Sequence, residues 1–242
     1  MFIDRDVDFL DSVHKPPMNR LAWLISSARK STLDVLLQSK YAPRARGTRE
    51  DDNFVHCAVA HGNTPVLEYL ASAGFRHLNS PPPEVQAELL TRASTKGDNG
   101  PRPLPSSPPK VLKYLLDLGF NIDVEDKNGR TPLLAVLESR SHYPIQPVRN
   151  LLQAGANPCF RSARGECPLV VAVKKKDSTK IAVEVIQMLL EAAREKYIPV
   201  HVVEKQVEEA LAVADQLCEY YWDARLLRPL RDWYWRMKYP VL

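Results

Sequence analysis

The sequence lacks the features of several large protein classes. No apolar run approaches the roughly 18 residues that a membrane-spanning helix needs, and residues 1–11 are rich in aspartate without the apolar core of a signal peptide. Only 4 of the 242 residues are cysteine, and none forms a CxxC motif. We therefore predict a protein of the cell interior, cytoplasmic or nuclear, whose thiols are reduced.

Signatures of catalysis are also missing. The chain contains no GxxxxGK[ST] phosphate loop and no GxGxxG, HExxH or GxSxG motif. His56 and His61 lie five residues apart, so they do not share a helix face on which Cys57 could complete a metal site. We therefore predict that the protein is not an enzyme and carries neither a metal nor a cofactor.

The composition is that of an ordinary folded protein. Apolar residues make up 45% of the chain and charged residues 26%, enough for a substantial core in one large domain or two small ones. The formal net charge is +4, which by itself is too small to indicate a polyanionic partner.

The strongest pattern is a helix ending that repeats along the chain. Residues 66–70 (VLEYL) precede Gly74 as residues 111–115 (VLKYL) precede Gly119, and a phenylalanine follows each glycine. The frame recurs at 151–155 and, more weakly, at 36–40 and 189–193. Repeat ends therefore fall at positions 40, 74, 119, 155 and 193. A spacing of this size is typical of a solenoid of stacked repeats.

Each repeat has a physical logic. The paired leucines, with apolar residues three and four positions earlier, predict one buried helix face. The glycine that follows predicts a left-handed helix stop. A polar turn with its own glycine comes next, at residues 126–129 and again at 161–165, and predicts a tight hairpin tip. Thr131 and Pro132 then suit the start of a helix, as N-cap and first helical residue.

These motifs resemble the ankyrin repeat. Residues 127–136 are similar to the hairpin and first helix of that family, with Leu134 where histidine is usual, and residues 53–63 keep this histidine as His56. Residues 151–157 (LLQAGAN) resemble the end of an ankyrin repeat. The resemblance implies an all-α solenoid of stacked helix-turn-helix repeats with hairpin-like tips, about five of them over residues 17–197.

Segments outside the repeats complete the predicted organisation. Residues 1–16 form an N-terminal extension, and residues 198–242 form capping helices predicted near 202–220 and 226–237. Residues 95–109 contain five prolines and two glycines, and we predict a mobile insertion within the array. A docking motif for an SH3-like partner is the alternative for this insertion.

The resemblance also implies a function. Ankyrin solenoids are protein-protein interaction modules or scaffolds, so we expect a monomer that binds another protein in the groove between its hairpin tips and first helices. Position in the repeat nominates eight contact residues: Lys127, Asn128, Arg130, Glu138, Arg140, Arg161, Arg164 and Glu166.

Two other functions remain open. Basic residues at 174–180 and 225–236 could bind a polyanion, either nucleic acid or anionic lipid, although an acidic helix at 204–219 separates them. Aromatic residues near the second basic stretch could cap the array or form a binding surface. The other alternative to protein binding is that the chain is an enzyme, or a biosynthetic accessory protein, without a recognisable motif.

Overall fold

The computed structural model describes residue 34 and residues 54–95, 109–139, 145–174, 179–218 and 227–238. From Phe54 onward these residues form eleven α-helices and no β-strand, so the predicted all-α class is confirmed. The helices are α1 (Phe54–His61), α2 (Thr64–Ser72), α3 (Arg76–Asn79), α4 (Pro83–Thr95), α5 (Lys110–Asp117), α6 (Pro132–Glu138), α7 (Ile145–Gln153), α8 (Pro168–Lys174), α9 (Thr179–Glu195), α10 (Val200–Cys218) and α11 (Leu227–Lys238).

Several predicted segments lie outside the described residues. They are the N-terminal extension at 1–16, most of the first repeat up to residue 53, and the proline-rich insertion apart from its two ends. At those ends, Thr95 closes α4 and the buried Pro109 precedes α5. None of the helices in the described part of the chain is long and apolar enough to cross a membrane.

The chain divides into two compact units. The first unit contains α1, α2, α3 and α5. Gly62, in the left-handed conformation with φ +70°, joins α1 to α2, and the Asn63 side chain accepts a hydrogen bond from the Val66 N–H at the start of α2. Val66, Leu67 and Leu70 of α2 are buried among the apolar residues of α1 and α5. This unit is therefore a set of short helices packed through their apolar residues.

The second unit contains α4 and α6–α11, arranged in two layers. Helices α4, α6, α8 and α10 pack side by side in one layer, and α7, α9 and α11 pack in the other. Helices α6 and α7, α8 and α9, and α10 and α11 also pack as consecutive pairs. Because α10 lies on α8 and α11 lies on α9, the C-terminal helices continue both layers.

The second helices end as the glycine pattern predicts. Gly74, Gly119 and Gly155 all have positive φ, at +79°, +91° and +100°. At Gly155 the N–H donates to the Leu152 carbonyl and the next N–H donates to the Leu151 carbonyl, which satisfies the last free carbonyls of α7. The predicted left-handed helix stops are therefore confirmed.

The fifth repeat ends one turn later than the sequence predicts. The paired leucines place its end at Ala193, but α9 continues to Glu195 and the left-handed residue is Tyr197. The Tyr197 N–H donates to the Arg194 carbonyl and the Ile198 N–H to the Ala193 carbonyl, as at Gly155. The prediction was wrong because the apolar stripe of α9 extends one turn past the leucines to the buried Ala193.

The two leucines of the pair at the end of α7 differ in their burial. Leu151 is fully buried, whereas Leu152 is half-buried, although the sequence pattern assigns both to the buried face. Successive residues of a helix point about 100° apart, so a narrow contact with the neighbouring repeat buries one completely and the other in part.

We expect Leu151→Ala to reduce the free energy of unfolding by about 2–5 kcal/mol, because it opens a cavity in a fully buried position. Leu152→Ala, the matched control with the same change of side chain, should cost clearly less. Urea denaturation of both variants measures the difference. Equal losses would show that the two leucines share the core, as the sequence pattern alone predicts.

Candidate partner-binding surface

Two tight turns stand at the centre of the predicted binding surface, and both belong to the second unit. We call them the 126–130 tip and the 162–166 tip. In the first, the Asp126 N–H donates to the Arg130 carbonyl at 2.9 Å. In the second, the Ser162 N–H donates to the Glu166 carbonyl at 2.9 Å. Gly129 and Gly165 adopt positive φ within these turns. The predicted tips are thus single turns, without strand pairing among the described residues.

Each tip is closed by the side chain of its first residue. The Asp126 carboxylate accepts hydrogen bonds from the backbone N–H groups of Asn128 (2.8 Å) and Arg130 (2.9 Å). In the next repeat, the Ser162 hydroxyl accepts from the Glu166 N–H at 3.1 Å. Short side chains of this kind fix a turn by bonding to the backbone a few residues further on. Both tips therefore have a defined shape before any partner arrives.

An ion pair ties each tip to the end of the first helix that follows it. An Arg130 nitrogen lies 3.3 Å from a carboxylate oxygen of Glu138, the last residue of α6. At the equivalent positions, Glu166 lies 3.3 Å from the ammonium group of Lys174, the last residue of α8. The two pairs have opposite polarity, because the cation is on the tip in one repeat and on the helix in the other.

Electrostatics reinforce the 126–130 tip. Burial alone would raise the pKa of the Asp126 carboxyl, but hydrogen bonds from Arg130 and from the Asn128 N–H, together with the guanidinium charge, outweigh it. The pKa of Asp126 is therefore lowered. The same contact, at 2.7 Å, raises the pKa of Arg130. The ionised pair is thus the form that stabilises the turn.

The two tips touch one another. A methyl group added at Gly129 would come 3.2 Å from the Cβ of Ala163, a tighter contact than usual, and the φ of +71° also favours glycine there. A second link joins the tip bases, where an Asp123 carboxylate oxygen accepts a hydrogen bond from the Asn157 N–H at 2.8 Å. The tips therefore form one continuous surface, which we call the tip surface.

Helix α10 takes the place of a third tip. The Gln206 side chain donates to the Cys159 carbonyl at 2.8 Å, and Arg161 donates to the Glu209 carboxylate at 2.7 Å. Cys159 is the equivalent of Asp123 in the repeat before. Asp123 is bonded to Asn157 of the next repeat, whereas Cys159 is bonded to a side chain of α10. The row of tips consequently ends at residues 162–166.

The eight predicted contact residues fall into distinct groups. Arg130, Glu138, Arg161 and Glu166 are all held in ion pairs within the chain. Lys127 and Arg164 are exposed and make no ion pair or hydrogen bond with any described residue. Asn128 is half-buried, and its N–H donates to Asp126. Arg140 lies outside the described residues.

The alternative basic surface is broken up by carboxylates where the structure describes it. Lys174 pairs with Glu166, Arg228 lies 3.7 Å from Asp232, and Arg231 lies 4.0 Å from Asp215. Arg236 is exposed and lines a cavity together with Asp232 and two glutamates. The remaining members, at 175–178 and 225, are outside the described residues, as is the side chain of Lys180.

The residues of α11, which carries part of the aromatic cluster, differ in their exposure. Leu230 of α11 is buried, whereas Trp235 is 58% exposed. Trp233 is half-buried and lines a cavity of about 410 Å³ between α9 and α11, together with Arg194, Arg236 and three carboxylates. The described aromatics of α11 therefore range from half-buried, at Trp233 and Tyr234, to exposed, at Trp235.

We expect the contribution of Asp126 to stability to be lost at acidic pH. A lowered pKa in the folded state means that the contribution is complete above the unfolded-state pKa, about 4, and disappears as the pH falls through the folded-state value. Thermal unfolding of wild type and Asp126→Asn should therefore differ most near neutral pH and converge in acid.

Asp123→Asn is the control for this measurement. Burial raises the pKa of the Asp123 carboxyl, against the opposing effects of the Asn157 N–H and the Lys196 charge. The contribution of Asp123 to the free energy of unfolding therefore rises as the pH falls. The difference in stability between wild type and Asp123→Asn should accordingly change with pH in the opposite direction. A difference between wild type and Asp126→Asn that grows in acid would contradict the proposed ion pair.

One family comparison covers an N-terminal part of the chain. Residues 21–71 match the family model described as ankyrin repeats (many copies). The described part of that segment includes α1 and most of α2, a helix-turn-helix joined at Gly62. The second unit also contains consecutive paired helices that end in left-handed stops. The resemblance predicted from the sequence is therefore confirmed over residues 21–71, which match ankyrin repeats.

Proposed function

We propose that the protein is a non-enzymatic interaction module that binds another protein through the tip surface. Ankyrin repeats are generally protein-protein interaction modules, which supports this class of function. We further propose that it works as a monomeric scaffold in the cell interior. In this proposal the residues of the tip surface determine where the partner binds and which chemical groups it must present.

One observation carries the proposal: hydrogen bonds fix the backbone of the tips, whereas two charged side chains on them are unpaired among the described residues. Lys127 and Arg164 are exposed and unpaired among the described residues, yet they stand on turns that are closed by side-chain and backbone hydrogen bonds. A contact group on a preorganised turn loses little conformational entropy when it binds. Lys127 and Arg164 are therefore better contact residues than their paired neighbours.

The ion-paired residues have a different role under this proposal. Arg130, Glu138 and Glu166 hold the tips against the first helices, so substituting them would change the shape of the surface as well as its charge. The sequence prediction treated all eight positions as equivalent contacts. Variants that test binding should accordingly avoid the paired residues.

Polyanion binding is the second candidate function. Its support is the basic composition of residues 174–180 and 225–236, while the described cations there lie near carboxylates. Such binding would weaken steeply as salt rises, because contacts with phosphates release counterions. Salt dependence therefore separates it from recognition of a protein.

We expect Lys127→Glu combined with Arg164→Glu to abolish capture of protein partners. Both side chains are exposed and unpaired, so the double variant should change the free energy of unfolding by no more than about 0.5 kcal/mol per site. Affinity purification with mass spectrometry, using wild-type and variant protein as baits in the same lysate, measures the loss.

Lys113→Glu combined with Lys205→Glu is the matched control. It changes the charge by the same amount at two exposed lysines that do not belong to the tips, one on α5 and one on α10. It should keep the partners that the tip variant loses. Loss of the same proteins from both baits would indicate a general charge effect. Retention of all partners by the tip variant would rule out the tip surface.

A further inference from the structure

Tyr197 occupies a backbone position that favours glycine. Among the described residues it alone, apart from glycines, has a positive φ, at +53°. Its hydrogen bonds to the end of α9 are those that Gly155 makes to the end of α7. A side chain in this left-handed conformation brings its Cβ close to the backbone, a strain that glycine avoids.

The side chain does not offset this strain by packing within the protein. Tyr197 is 93% exposed, and its hydroxyl forms no hydrogen bond with a described residue. Val200, three residues on at the start of α10, is also exposed, at 45%. A residue held in a strained conformation without a structural benefit points to a functional role.

The loop that carries Tyr197 lies against the bases of the tips. The ammonium group of Lys196 donates a hydrogen bond to the Gly155 carbonyl, and its charge acts on the Asp123 carboxyl. Asp123 in turn links the two tips through Asn157. Lys196 therefore brings this loop to the residues at the bases of the tips, and Tyr197 is the next residue of the loop.

We propose that Tyr197 is an aromatic anchor for the partner of the tip surface, and that this partner is an extended acidic segment with an apolar side chain. The acidic character follows from Lys127 and Arg164, the cations that the tips leave unpaired among the described residues. Tyrosine is enriched among the residues that dominate binding energy, since its large ring is stiff and amphipathic. This inference rests on the proposed function of the tip surface.

The first test uses stability. Tyr197→Gly removes the strain and an exposed ring, so its melting temperature should equal or exceed that of wild type. Tyr197→Asn, a second residue that tolerates the left-handed conformation, provides the same test should the glycine variant fold poorly. A clear fall in melting temperature for both variants would show that the ring stabilises the fold, and would overturn the inference.

The second test uses binding. Selection of a random-peptide phage library on the wild-type protein should recover peptides rich in aspartate and glutamate with a shared apolar position. For a synthetic peptide from that selection, measured by fluorescence anisotropy, Tyr197→Gly should weaken binding about tenfold or more and Tyr197→Phe by less than about twofold. Lys127→Gln with Arg164→Gln should weaken binding severalfold and reduce its dependence on salt.

The outcomes separate this inference from the proposed function. Loss of peptide binding in the Lys127 and Arg164 variant, with full binding by Tyr197→Gly, would overturn the anchor and leave the tip surface standing. Loss only in Tyr197→Gly would support the anchor and remove the tips from the proposed site. Selected peptides without acidic residues, or no selected peptide at all, would overturn the acidic segment as the partner.

Discussion

Burial of short apolar helices against one another is the constraint on which this structure depends. Helices α6 and α8 have seven residues each, too few to be stable alone in water. In α8, every residue from Pro168 to Val173 is buried, and α6, α9 and α10 provide the surrounding surface. Since no helix pair can bury its own apolar faces, stability in the second unit comes from stacking.

This constraint explains why the charged groups of the tips are organised as they are. The turn between one repeat and the next has no sheet to hold it, so Asp126 and Ser162 close it from within. The ion pairs from tip to helix then fix the orientation of the turn on the stack. Exposed ion pairs are individually weak, but here they act on turns that backbone hydrogen bonds already shape.

The sequence predicts the features that depend on local chemistry. Glycine at a helix stop, and Thr131 with Pro132 at a helix start, act within one turn of the chain. The structure has both, with the Thr131 hydroxyl accepting from the Leu134 N–H. The sequence predicts less well what depends on neighbouring repeats. The half-exposure of Leu152, the extra turn of α9 and the ion pair between Arg161 and Glu209 follow from packing across repeats.

The candidate site shows the same division. Position in the repeat identifies which residues lie on the tips, but it does not show which charges are already paired within the chain. The opposite charges at positions 130 and 138, and again at 166 and 174, are visible in the sequence, and their equal spacing is the signal that could have revealed these pairs. Tyr197 carries no such signal, because only its backbone conformation distinguishes it.

The opposite polarity of the two tip-to-helix ion pairs means that neighbouring repeats are not interchangeable modules. A tip carrying Arg130 grafted before α8 would set its guanidinium against Lys174, and a tip carrying Glu166 grafted before α6 would set its carboxylate against Glu138. Recombination or duplication of these repeats would have to move each tip together with the last residue of its own helix. The unit of exchange is therefore residues 126–138 or 162–174, rather than the tip by itself.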